Sequence, residues 1–178
     1  MPLKIAQLGQ PALRQIAAEV SAEEIHSPAF QQLVDDMLAT LAQEEGAGLA
    51  GPQVFQSKRL FLAAVLPKPD PEEIPGIEVM VNPRITAAST ETATAWEGCL
   101  SFPELLVKVS RRLAIRVEYL SRHGEPCMKE LVSFSARVVQ HECDHLDGVL
   151  TLDRAVSTKD IVKASEIEVV EGKKPPGP

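Results

Sequence analysis

Apolar positions between residues 27 and 45 recur at helical spacing. Phe30, Leu33, Val34, Met37, Leu38 and Leu41 fall on one face. Ser27 supplies an N-cap side chain and Pro28 suits the first helical turn, while Gly46 is placed to end the helix in the left-handed conformation. Residues 46–53 form a glycine-rich loop. Strands are then expected at 59–66 and 77–81, separated by a loop containing Pro67, Pro69, Pro71 and Pro75. Residues 85–96 alternate weakly and are rich in Thr and Ala, which predicts another strand. Residues 107–119 and 126–132 read as the two arms of a hairpin joined through Arg122-His123-Gly124-Glu125. A second helix is expected over 135–147, with Val138, His141, Glu142 and His145 at helical spacing and Gly148 as terminator.

With 178 residues and no shift in composition, the chain is expected to be one catalytic domain over 1–170. Residues 171–178, with three prolines and two lysines, are expected to be a disordered tail. A domain of this size needs no structural metal to fold, so a metal site would serve chemistry. The net charge of −7 argues against direct nucleic-acid recognition, though it leaves room for a local basic patch around Arg111 and Arg112. Such a patch could also support a transient ribosome contact. No apolar run is long enough to span a membrane, and no signal core follows Met1, so a cytoplasmic location is expected. Cys99, Cys127 and Cys143 cannot all pair within the chain, and a reducing compartment leaves thiolates free to bind metal.

The chemistry concentrates in His141-Glu142-Cys143-Asp144-His145, an HExxH pattern. Two imidazoles four residues apart on a helix can reach one ion, and Glu142 beside them can take a proton from an activated water. Two surface histidines one turn apart would look the same in sequence. Apolar Val138, Val139 and Leu146 turn this face inward, where unpaired polar groups are costly and ligation accounts for their burial. A catalytic site of this kind usually has a third protein ligand. Glu166, Glu168 and Glu171 follow the motif but lie near the expected tail; Cys99 is the upstream candidate. Cys127 and Cys143 read as packing residues.

Three motifs stand in order: Gly46-Ala47-Gly48-Leu49-Ala50-Gly51-Pro52-Gln53, then Glu97-Gly98-Cys99-Leu100-Ser101, then Gln140 to Gly148. From about residue 3 to 155 the chain resembles the peptide deformylases, whose patterns are GxGxAAxQ, EGCLS and QHExDHLxG. The resemblance implies an α+β fold with antiparallel sheets around a central helix bearing HExxH. It implies Cys99, His141 and His145 as metal ligands and Glu142 as base and then acid. It also implies the Gln53 amide and the Leu100 backbone N–H as donors to the developing oxyanion. The reaction would be hydrolytic removal of the formyl group from formyl-methionyl nascent peptides, with one divalent ion. That ion would be Fe2+ in the cell, with Zn2+, Ni2+ or Co2+ able to take its place.

Several readings stay open at this level. Gln53 alone could be a solvated loop residue, and Phe134 and Val138 could line a methionine pocket or simply fill the core. Gly46 and Gly48 suit close approach of a peptide better than a phosphate cradle, because the loop lacks a P-loop ending. Gly51 replaces the pattern's second alanine, adding freedom to the loop that carries Gln53. Leu106 stands where some bacterial members have an arginine that holds the peptide, leaving that task to Arg111 or to backbone. A zinc peptidase and a catalytically silent metal- or peptide-binding module are the rival functions; intact Glu142 and Gln53 weigh against silence.

Overall fold

The computed structural model describes residues 2–66 and 76–173. The expected proline loop at 67–75 and residues 174–178 of the expected tail lie outside them. The elements in chain order are helix α1 (Ala22–Ile25), helix α2 (Pro28–Gln43), strand β1 (Gly48–Ala50), β2 (Leu60–Val65), β3 (Gly76–Ala88), β4 (Thr92–Glu97), β5 (Leu105–Arg112), β6 (Ala114–Leu120), β7 (Pro126–Val132), α3 (Ser133–Leu146), α4 (Thr151–Arg154), β8 (Ile161–Lys163) and α5 (Ile167–Val170). A five-stranded antiparallel sheet runs in the order β1-β2-β3-β6-β7, and a second has the order β4-β5-β8.

Helix α2 forms as its pattern predicts. The Ser27 hydroxyl accepts from the Phe30 N–H at 3.2 Å, and Phe30, Val34, Met37 and Leu41 are buried against β1 and β2. Its end differs from expectation. Glu45, not Gly46, takes the left-handed conformation, with φ of +50°. Gly46 sits between two side-chain tips, and a Cβ there would lie 2.9 Å from both Leu41 Cδ1 and Leu100 Cδ1, so those leucines would have to shift to admit it.

The strands partition differently from the reading of the sequence. Residues 85–88 continue β3 through bulges after Val81 and Ile85, while β4 belongs to the other sheet. The expected strand at 107–119 is two strands, β5 and β6, that leave Leu113 in different sheets. Both bury odd-numbered positions: Val107, Val109 and Arg111 in β5, then Ile115, Val117 and Tyr119 in β6. The period-2 signal therefore passes through the break unchanged. The β6–β7 hairpin is as expected, turning through Gly124 at φ +81°.

Helix α3 starts two residues earlier than predicted, and Gly148 ends it at φ +72°. It packs on β1, β2 and β7 of the larger sheet and touches β5 of the smaller one. Cys127 and Cys143 are partly buried against the core beneath it, consistent with packing roles.

Gly51 tightens the chain rather than loosening it. A Cβ there would meet two backbone carbonyls, Lys58 O at 2.7 Å and Gln56 O at 2.8 Å. The Gln56 N–H in turn bonds Gly51 O at 2.9 Å. Backbone cannot swing aside as a side-chain tip can, so Gly51→Ala should destabilise the fold by about 1–3 kcal/mol in urea titration. Unchanged stability would mean that the 56–58 turn can move.

Candidate active site

Cys99 follows β4 immediately after Gly98, and α3 brings His141 and His145 to it. The three side chains offer ligand atoms that all lie within 4.8 Å of one another, and all three are buried or nearly so. Cys99 Sγ is 3.3 Å from His145 Nε2. The His141 Nδ1–H donates to Glu97 Oε2 at 3.0 Å, which leaves Nε2 free to face a metal ion. Burial depresses the pKa of His145, keeping it in the neutral form that ligates. Burial would lower that of His141 too, but the thiol of Cys99 and the carboxylate of Glu97 outweigh it and lift it to about 10. One cysteine sulfur and two imidazoles converging in a buried pocket fit a divalent transition metal.

Glu142 lies against this cluster. It is 3% exposed, and its Oε2 and His145 Nδ1 are buried without a hydrogen-bond partner among the described residues. Burial pushes its carboxyl up to about 7. Gly48 makes room for it: a Cβ at Gly48 would sit 2.6 Å from Glu142 Cδ and 2.9 Å from Cγ.

Gln53 is not the solvated loop residue that its surroundings in sequence allow. It is 1% exposed, in a 3-10 turn at Gly51–Val54. The Ala50 N–H donates to its Oε1 at 2.8 Å, while its Nε2 donates to Ser101 Oγ at 3.1 Å and approaches Cys99 Sγ at 3.6 Å. The amide is therefore fixed with its N–H edge toward the cysteine. Gly46, Gly48, Trp96, Leu100, Phe134 and Val138 line a cleft of about 640 Å³ that opens onto Cys99, His141 and Glu142. Phe134 is 43% exposed on the cleft, whereas Val138 also belongs to the core beneath α3.

Arg111 is neither surface patch nor peptide anchor. It is buried, with its Nε and Nη2 on Glu97 Oε1 and Oε2 at 2.9 Å each, and Nη1 on Asp144 Oδ2 at 2.5 Å. Arg137 Nη1 adds a bond to Glu97 Oε1 at 2.7 Å. Burial would raise the pKa of Glu97, but hydrogen bonds from His141 and Arg111 hold it at about 2. Leu106 pairs with Val162 of β8 and lies under Gly98. The reading of the sequence gives Glu97, Arg137 and Asp144 no role in the site and offers Arg111 only as a peptide anchor. Arg137, His141 and Asp144 nonetheless fall at i, i+4 and i+7, one stripe of α3 facing one pair of side chains on β4 and β5.

The sequence pattern of polypeptide deformylase matches residues 2–160. The chain is 48% identical to peptide deformylase 2 of a Nostoc species over 168 residues, 93% of each chain. It superimposes on the Met-Ala-Ser-bound class I type b peptide deformylase from Acinetobacter baumannii with a TM-score of 0.81 and 42% identity, covering 86% of this chain and 98% of that one. The peptide deformylase from Thermotoga maritima gives 0.80 at 37% identity, covering 88% and 99%. The antiparallel sheets with packed helices are those of the deformylase fold. Metal-dependent hydrolysis, not silent binding, is the activity these relationships carry. The chain belongs to the polypeptide deformylase family, enzymes that remove the N-formyl group from nascent peptides.

Proposed function

We propose that deformylation takes place where the cleft meets Cys99, His141 and His145, with these three holding one divalent ion and Glu142 moving the proton. The observation that carries this reading is the convergence of three ligand atoms within 4.8 Å beside a buried carboxylate. When bound, the ion would supply the charge that makes a water nucleophilic near neutral pH and polarises the formyl oxygen. Fe2+ is the proposed cellular ion, with Zn2+, Ni2+ or Co2+ as substitutes. Helix α3 would then be the central metal-bearing element of the fold.

Glu142 accepts a proton from the attacking water as the new C–O bond forms at the formyl carbon. It returns that proton to the departing amine as the C–N bond breaks, giving formate and a free amino terminus. The Gln53 Nε2–H and the Leu100 N–H receive the charge that builds on the formyl oxygen. The hydrogen bond at Gln53 Oε1 holds the amide in place for this, so little reorganisation is needed. Gly46 and Gly48 let the substrate backbone approach, and Phe134 with Val138 offers apolar surface to the methionine side chain.

Met-Ala-Ser, held by the Acinetobacter relative, is what formyl-Met-Ala-Ser becomes on losing formate. The test is formate release from formyl-Met-Ala-Ser by enzyme prepared without oxygen, alongside analysis of bound iron and zinc. Formate should appear with one equivalent of metal, and Met-Ala-Ser should remain uncut. Cleavage of internal peptide bonds would assign the centre to a peptidase instead. A cytoplasmic location fits the absence, among the described residues, of any helix long and apolar enough to cross a membrane. Transient ribosome contact would fall to exposed cations such as Arg112.

A further inference from the structure

We infer that Arg154, on α4 and outside the lining of the cleft, is a positioning residue for the His141 imidazole. It acts through Asp144, Arg111 and Glu97, and rests on the reading of His141 as a metal ligand.

Each link is a charged hydrogen bond. Arg154 forks onto Asp144, Nη2 to Oδ1 at 2.6 Å and Nε to Oδ2 at 3.1 Å. Asp144 Oδ2 also accepts from Arg111 Nη1. The rest of the Arg111 fork grips both oxygens of Glu97, and Glu97 Oε2 accepts the His141 Nδ1–H. The path begins on α4 and crosses α3. It then passes through β5 and β4 and returns to α3 one turn before His145.

Asp144 is a carboxylate with only 11% of its side chain exposed, shared between two guanidinium groups. Arg154 is the partner of its Oδ1 among the described residues. Without Arg154, the full charge of Asp144 falls on Arg111, which must otherwise hold Glu97 with two parallel bonds. A weaker grip on Glu97 leaves the His141 ring freer to turn away from the ligand geometry. Forked guanidinium–carboxylate pairs transmit orientation because two parallel bonds fix a plane. Arg154 is itself 48% exposed, so its loss should cost the fold little, and its effect should appear at the metal.

The alternative is that Arg154 merely docks α4. A neighbouring contact separates the two: Arg14 also tethers α4, through Asp153, without touching Asp144. The experiment loads each protein with Zn2+ and follows transfer of Zn2+ to a colorimetric chelator, together with kcat and KM on formyl-Met-Ala-Ser. Arg154→Ala should release Zn2+ about 3- to 10-fold faster, less than the effect of losing a direct partner of a ligand. Its kcat should fall by a similar factor at unchanged KM. Arg154→Lys, which keeps the charge but not the fork, should lie between the two, and Arg14→Ala should behave as wild type. Wild-type release from Arg154→Ala, or equal acceleration by Arg14→Ala, overturns the inference. His141→Ala serves as reference. If it keeps Zn2+ as wild type does, the ligand assignment itself fails; if it alone loses Zn2+, only the relay fails.

Discussion

The Glu142→Gln enzyme is expected to release formate about 10²- to 10⁴-fold more slowly than wild type while still holding Zn2+. That corresponds to about 2.7–5.5 kcal/mol in the barrier. Glutamine has the shape of glutamate, so it can occupy the space that Gly48 leaves against the carboxylate. It keeps an oxygen and adds an N–H, but it cannot accept a proton from water and hand it on to an amine. Glu142 is not one of the three converging ligand atoms, so metal content should be unaffected. The measurement pairs single-turnover formate release with Zn2+ analysis on the same sample. Turnover within a few-fold of wild type, with Zn2+ bound, would remove Glu142 from the proton path. Loss of Zn2+ would instead make it part of the ligand set.

How much of this was legible in the sequence differs from element to element, for physical reasons. Helices α2 and α3 were readable because each buries one face and therefore writes a 3.6-residue period. The division of β3 to β6 between two sheets was not. Burial parity is the same on both sides of Leu113, and only long-range pairing tells the sheets apart. Gln53 shows the same limit at the site. A glutamine after glycines and a proline looks solvated, and it is buried because distant Ser101 and Cys99 come to its amide. Arg111 could have been placed inside by parity with Val107 and Val109, but its charge argued for the surface. The candidate ligand trio could be assembled from sequence because two of its members lie four residues apart on one helix and Cys99 lies in one of three ordered motifs; their ligand atoms fall within 4.8 Å of one another.

Glu97→Ala carries the largest expected effect on stability. Glu97 accepts from two guanidinium groups and one imidazole while almost fully buried. Removing one partner of a buried ion pair strands the others, at a cost of about 3–5 kcal/mol. The same reasoning says that the cluster as a whole need not be a net source of stability, because desolvating its charges offsets their attraction. The two roles of Glu97 can therefore be separated. A Glu97→Ala, Arg111→Met double variant removes both members of the most buried pair and should regain part of the lost stability in urea titration. It should not regain metal retention, since nothing then orients His141 through Nδ1. Loss of a carboxylate behind a ligating imidazole typically weakens metal binding by about 10- to 100-fold. Zn2+ affinity should stay that far below wild type in both variants, whatever happens to stability. If affinity recovered together with stability, Glu97 would be a fold residue that happens to touch a histidine. If stability recovered while affinity did not, the ion cluster would be there to aim His141, with its cost in stability borne by the rest of the fold.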